Sequence, residues 1–238
     1  MMLTWIISVL AAYLIGSVPF GVIIGRMKGI DIRQHGSRNV GATNVGRVLG
    51  KKFGLLCFLL DALKGFTSTF GAGLITGAVG TSLVALTFSE TAWWLLVAIA
   101  AVIGHMSSVF IRFKGGKGVA TGFGALLGMW PVLTIPALLA FAVWIITVRL
   151  TRYVSVASML AAMSLPIWAA MIAVFSGADT IPSAADRLWA AWPVVAVLAG
   201  LAALVVWKHR TNLLRLKLGT EPTIGRKKEA APSVSEGG

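Results

Sequence analysis

The sequence is poor in the residues most often used for covalent or metal chemistry. Its one cysteine, Cys57, excludes an internal disulfide and a cysteine-based metal cluster. Placed inside an apolar run, it reads as a small buried hydrophobe. Three histidines, at positions 35, 105 and 209, and eight carboxylates spread along the chain offer no evident metal-ligand set, so no metal and no cofactor are expected. No G-x-S-x-G elbow occurs, and no histidine is followed five residues later by aspartate. The glycines around Lys117 do not form a nucleoside-triphosphate loop, because the residue after that lysine is Gly118 rather than serine or threonine. MMLTWIISVL carries no basic residue ahead of its apolar run, so a cleaved signal peptide is not expected.

Charge is scarce as well. Only 12% of the 238 residues are charged and 57% are hydrophobic, with a mean hydropathy of +0.87, whereas a soluble domain is about 25% charged. Apolar runs recur from end to end, so the fold class is all-α, a polytopic membrane helix bundle. A net charge of +13 would suit a nucleic-acid binder only if a soluble basic face existed to carry it; none does, and no nucleic acid is expected as a partner.

Five stretches are long enough to cross a bilayer: Leu3–Ile24, Phe53–Val79, Ala92–Phe110, Tyr153–Phe175 and Trp189–Trp207. A sixth stretch between Gly118 and Val148 is broken by Pro131 and Pro136. The basic residues decide its parity. Nineteen of the 21 lie in four clusters, spanning 26–52, 112–117, 149–152 and 208–228, whereas the opposite loops near 80–91 and 176–188 hold Arg187 with Glu90, Asp179 and Asp186. By the positive-inside rule the clusters are cytoplasmic, the N-terminus is outside and the C-terminus is cytoplasmic. Lys117 and Arg149 then share a side, so residues 118–148 form a hairpin of two short helices turning near Trp130-Pro131, giving about seven spans; a re-entrant dip is the alternative. Residues 1–225 read as one integral membrane domain, and 226–238 as a disordered cytoplasmic tail.

The polar islands all fall on that same face. His35–Gly50, HGSRNVGATNVGRVLG, has glycines every four or five residues, with Ser37, Asn39, Thr43 and Asn44 as neutral donors and Arg38 and Arg47 as charged ones. Glycine lets backbone N–H groups turn toward an anion. In GHMSSVFIRFKGGKGVATG, Lys114 and Lys117 bracket Gly115 and Gly116 just before an apolar run. If that run is helical, Lys117 stands at its anion-attracting N-terminus. TRYVSVAS places Ser155 and Ser158 just inside a span, and KHRTNLLRLKLGTE places His209 and Asn212 three apart, on one helix face. Asp61 and Lys64, also three apart, lie inside the second span and could simply neutralise one another. Each island singly also suits a loop touching anionic lipid heads. Together they describe a pocket rich in donors and poor in acids, hence a phosphorylated substrate.

GSRNVGATNVGR, GHMSSVFIRFKGGKGVATGFG and HRTNLLRLKLGTE resemble the three cytoplasmic motifs of the bacterial PlsY family of acyl-phosphate:glycerol-3-phosphate acyltransferases. The resemblance implies transfer of an acyl chain from acyl phosphate to sn-glycerol 3-phosphate in phospholipid biosynthesis, giving 1-acylglycerol 3-phosphate and phosphate. It places the enzyme in the bacterial cytoplasmic (inner) membrane among membrane lipids, with its active site on the cytoplasmic face. An acyl phosphate is already activated, so the missing nucleophile elbow is no obstacle. Carried across, the family's roles make His209, Lys117, Ser37 and Asn212 the catalytic set. Thr43, Asn44, Arg47, Lys114, Gly115, Gly116 and Ser155 become substrate-binding, with Ser158 as the fallback for Ser155. His209 is expected to position glycerol 3-phosphate while a substrate phosphate takes the proton, since nothing evident in the sequence fixes the tautomer of His209. Arg38 departs from the family's pattern, where a smaller residue, often glycine, is expected. Two other readings remain: a transporter for phosphorylated metabolites, although transporters usually bind near mid-membrane between repeated halves, and a lipid-binding scaffold.

Overall fold

The computed structural model describes residues 1–81, 86–175 and 183–224. The expected tail at 226–238 lies outside the described residues, as do 82–85 and 176–182 in the two loops that carry few basic residues. Among the described residues the chain is helical, without strands. Helix α1 (Met2–Ser17) and α2 (Phe20–Met27) form one crossing interrupted at Val18-Pro19, where proline has no N–H to continue the ladder. Then come α3 (Ala42–Leu49), α4 (Lys51–Thr76), α5 (Phe88–Met106), α6 (Val119–Gly128), α7 (Thr134–Thr151), α8 (Val154–Phe175), α9 (Ala184–Lys208) and α10 (Arg210–Lys217).

Six segments are long and apolar enough to span: Met2–Met27, Lys51–Thr76, Phe88–Ile111, Thr134–Thr151, Val154–Phe175 and Ala184–Lys208. The 118–148 stretch is a helical hairpin turning between Gly128 and Thr134, as its two prolines suggested. Its arms are unequal, however. The ten residues of α6 reach about 15 Å, half the hydrocarbon thickness. A second departure is α3, read from sequence as loop. Its glycine spacing hides an amphipathic helix with Asn44 and Val45 turned inward and Thr43 and Arg47, one turn apart, turned out. Helix α9 also begins five residues before Trp189, taking in Asp186 and Arg187.

Helices in lipid gain little from hiding apolar surface from one another, so close backbone contact must hold them. Glycine provides it. A Cβ on Gly65 would overlap the Thr121 carbonyl of α6, and one on Gly124 the Ala62 carbonyl of α4; Gly16 and Gly104 make the same demand between α1 and α5. Buried Trp94 ties α5 to α4 by donating Nε1–H to the Thr69 carbonyl at 2.8 Å. On the outside, Leu55, Leu59 and Leu63 of α4 recur every four residues, each more than half exposed. Such a stripe is a liability in water and the normal face of a helix in lipid.

At the ends opposite the basic clusters, side chains cap two of the helices. Thr87 and Glu90 form a reciprocal capping box on α5, and the Ser183 hydroxyl accepts from the Asp186 N–H at 3.1 Å on α9. The orientation is testable in a Cys57→Ala background. Cysteine at exposed Ala185 should react with an impermeant maleimide in intact cells, and cysteine at exposed Thr220 only after permeabilisation. Labelling of position 220 from outside would invert the topology.

Candidate functional site

At the end of the bundle carrying the basic loops, a cavity of about 120 Å3 opens between the loop before α3, the start of α6, the end of α7, the start of α8 and the α9–α10 junction. Its first wall is built on one buried side chain. The Asn44 amide donates to the carbonyls of Ile32, His35 and Asn39 at 3.1, 3.1 and 2.8 Å, while its Oδ1 accepts the Ser37 N–H at 2.7 Å. Gly36 passes over this amide with φ +61°, and any Cβ there would strike Asn44 Oδ1. Arg38 follows with φ +60°, a left-handed conformation that glycine adopts freely and arginine at a cost of about 1 kcal/mol. The loop thus takes a glycine-type bend in spite of the arginine. Ser37, Asn39, Thr43 and Arg47 line the cavity.

The second wall is Lys117 followed by Gly118, whose φ of +78° starts α6. The first-turn N–H groups of an α-helix have no intrahelical acceptor, and Val119 and Ala120 stand at the cavity. The third wall centres on a residue that the sequence reading gave no role. After α10 the chain turns at Gly219, φ +68°, with the Thr220 N–H donating to the Arg215 carbonyl at 2.8 Å, and so returns Glu221 to the bundle. Glu221 Oε1 accepts from the Ser155 hydroxyl at 2.7 Å and the Asn212 amide at 2.6 Å, and Oε2 from Arg215 Nε at 2.8 Å. Lys117 Nζ donates to Asn212 Oδ1. One carboxylate therefore orients Ser155 and Asn212, and through Asn212 meets Lys117. The only available signal was a lone acid among basic residues, since the turn between Arg215 and Glu221 breaks any helical spacing.

His209 Nδ1 lies 2.8 Å from the Val205 carbonyl. A carbonyl only accepts, so Nδ1 carries the proton and Nε2 keeps its lone pair. The tautomer that the sequence left unfixed is fixed by backbone.

Ser37, Thr43, Asn44, Arg47, Lys117, Ser155, His209 and Asn212 thus meet at one cavity, with Ser158 beside them. Lys114, Gly115 and Gly116 do not line it. Lys114 is exposed, and the amides of Gly115 and Gly116 donate to the carbonyls of Met106 and His105 at 3.2 and 3.0 Å. Asn44 lines the cavity, but the backbone occupies its side chain on both sides. Asp61 and His105 also reach it.

Residues 6–219 match the family model described as glycerol-3-phosphate acyltransferase. The chain belongs to this family. A glycerol-3-phosphate acyltransferase of Desulforamulus reducens is 41% identical over 227 residues, covering 95% of this chain and 98% of its own. One from a Synechococcus strain is 42% identical over 237 residues, covering 97% and 100%. The fold is similar to crystal structures of PlsY, described as an integral membrane glycerol 3-phosphate acyltransferase. Its glycerol 3-phosphate form matches with TM-score 0.73 at 37% identity over 93% of this chain and 96% of that one. Its lysophosphatidic acid form matches with TM-score 0.72 at the same identity. The chain is an integral membrane enzyme of the PlsY type.

Burial dominates the electrostatics of this cavity. Burial lowers Lys117 to about 8; the Glu221 charge opposes that fall, and Arg215 and Arg47 add to it. Burial, then the Lys117 charge, pushes His209 down to about 4. Burial is the largest cause in both, and a phosphate bound beside Lys117 would favour its ammonium form. Lys117 is an ammonium below pH 8 and neutral above it. With the free enzyme, kcat/KM should therefore fall as pH rises through about 8. In Lys117→Arg, whose charge persists, that limb should move upward by more than a pH unit. An unmoved limb would mean that Lys117 does not serve as the cation.

Proposed function

We propose that the enzyme transfers an acyl group from acyl phosphate to the primary hydroxyl of sn-glycerol 3-phosphate, at the cytoplasmic face of a bacterial inner membrane and in phospholipid biosynthesis. The observation that carries this reading is continuity between two unlike spaces. The cationic cavity opens into an apolar groove between α5, α6, α7, α8 and α9, and Phe58, Val119, Trp144 and Ser158 border both. The groove runs inward past Ala140, Ala161 and Ala162 to Leu126, Ala137 and Leu165. A phosphate head with an acyl tail fits that pairing, and coenzyme A finds no adenine-reading element in it.

In this reading the glycerol hydroxyl oxygen attacks the acyl carbonyl carbon, and the bond from that carbon to the phosphate oxygen breaks with its electron pair leaving on phosphate. The hydroxyl proton ends on a phosphate oxygen, giving 1-acylglycerol 3-phosphate and inorganic phosphate. Lys117 and the N-terminus of α6 neutralise the leaving group. Ser37, Thr43 and Arg47 face them from the opposite wall and take the second phosphate. His209 accepts a hydrogen bond from the attacking hydroxyl at Nε2, and Asn212 has one N–H left for glycerol 3-phosphate. With His209 down at about 4, a phosphate monoester with its second pKa near 6 is the better proton acceptor. The substrate cavity lies at one end of the helices rather than at mid-depth, which does not favour the transporter reading.

The purified enzyme should make product from acyl phosphate and none from acyl-CoA; comparable rates with both would overturn the donor assignment. Lys117→Met should lose about 2–4 kcal/mol of transition-state stabilisation in kcat/KM. His209→Asn should keep the acid limb near pH 6. Loss of that limb with an unchanged glycerol 3-phosphate KM would make His209 the base. Ala161→Phe, which fills the groove, should depress turnover of a long-chain acyl phosphate at least tenfold more than that of a short-chain one. Equal loss with both would place the chain elsewhere.

A further inference from the structure

Three ionisable side chains sit inside the bundle without a part in this chemistry. Asp61, Lys64 and His105 are 2%, 4% and 7% exposed. Lys64 Nζ lies 2.8 Å from Asp61 Oδ1, donates to the Val18 carbonyl at the end of α1 at 2.8 Å, and stands 3.0 Å from His105 Nδ1. Asp61 Oδ1 is 3.5 Å from the same imidazole nitrogen, and Asp61 Oδ2 takes a long contact of 3.6 Å from the Cys57 thiol. Lys64 one turn away neutralises Asp61, and a buried charge requires such a partner. Neutralisation alone does not account for His105. Lys64 Nζ and Asp61 Oδ1 both face Nδ1 and so hold the imidazole from the side away from Gly116.

What His105 touches next is the lysine loop. Its carbonyl accepts the Gly116 N–H at 3.0 Å, and its Nε2 edge lies so close to Gly116 that no Cβ fits between them. Lys117 is the following residue, and Asp61 and His105 reach the cavity wall beside it. We propose that Asp61, Lys64 and His105 are positioning residues for the phosphate site. The ion pair fixes the imidazole, the imidazole and its own carbonyl fix Gly116, and Gly116 sets where Lys117 begins. The inference rests on Lys117 being the phosphate partner.

A double-mutant cycle tests it on purified enzyme at concentrations that allow residual rates to be read. His105→Gln should lower kcat/KM with acyl phosphate at least tenfold in the wild-type background and less than twofold in Lys117→Met. Equal losses in the two backgrounds would overturn the proposal, because a merely structural role acts regardless of the lysine. Unchanged activity in Lys117→Met alone would instead overturn the assignment of that lysine. Where His105→Gln fails to fold, Gly116→Ala, which displaces the loop while leaving the three ionisable residues intact, enters the same cycle with the same expectation. Wild-type activity in Gly116→Ala would also refute the positioning role.

Discussion

A carboxylate at the edge of a cavity proposed to hold phosphate is an electrostatic obstacle unless it is fully engaged, and Glu221 is engaged on both oxygens. Burial works against its charged form, but hydrogen bonds from Asn212, Ser155 and Arg215 together with the Arg215 charge hold its pKa below the usual carboxylate range. In exchange it orders three elements that the chain connects only remotely: the first turn of α8, the short α10 and, through Asn212, the lysine ahead of α6. Removing Glu221 would leave Asn212 free to rotate and Lys117 without a fixed acceptor. The donors that line the cavity are set by a group whose own oxygens are already occupied.

The bundle reaches this arrangement because its helices approach through backbone rather than side chains. Gly65 and Gly124 bring α6 against α4, and Gly16 and Gly104 bring α5 against α1. Both contacts end at the same membrane surface, where α4 and α5 contribute Asp61 and His105 to the cavity and α6 presents its unpaired N–H groups. Beside the half-length α6, side chains of α4, α6 and α7 close the apolar groove. There a stack of Phe58, Phe123, Phe141 and Trp144, with the Phe123 and Phe141 rings 4.7 Å apart, forms one wall of the groove. Polar and apolar parts of the site are therefore consequences of one packing pattern.

Much of this was legible from residue order. Apolar length placed the crossings to within a few residues, the paired prolines placed the hairpin turn, and the polar islands named eight side chains that meet at one cavity. Spacing was informative only where the chemistry is local. Thr43 and Arg47 share a face because α3 is a helix, yet its run of glycine, asparagine and threonine has poor helix propensity and hid it. The family resemblance puts Lys114 among the substrate-binding residues, but the amides of Gly115 and Gly116 turn the loop back onto α5 and leave Lys114 outside. The tautomer of His209 depends on a backbone carbonyl one turn earlier, and the contact between His105 and Gly116 on a fold between two loops. No side-chain pattern encodes either. Arg38 shows the converse: its side chain is long and charged, yet its backbone takes the left-handed conformation suited to glycine.

Under the proposed reaction these features fit one energetic requirement. A mixed anhydride already carries its activation, so the protein need not supply a nucleophile, a metal or a covalent intermediate. What opposes the reaction is the approach of two anionic molecules, and the site answers it with Arg47 on one wall and Lys117 with the α6 N-terminus on the other. Burial depresses Lys117, and a phosphate held beside it favours the ammonium form. Because a fixed cation needs little reorganisation during the reaction, its stabilisation is available to the developing charge on the leaving phosphate. Proximity between hydroxyl and carbonyl then completes the task, a contribution of about 7 kcal/mol or more when orientation is good. A donor-rich, acid-poor pocket set at the mouth of an apolar groove is what that division of labour requires.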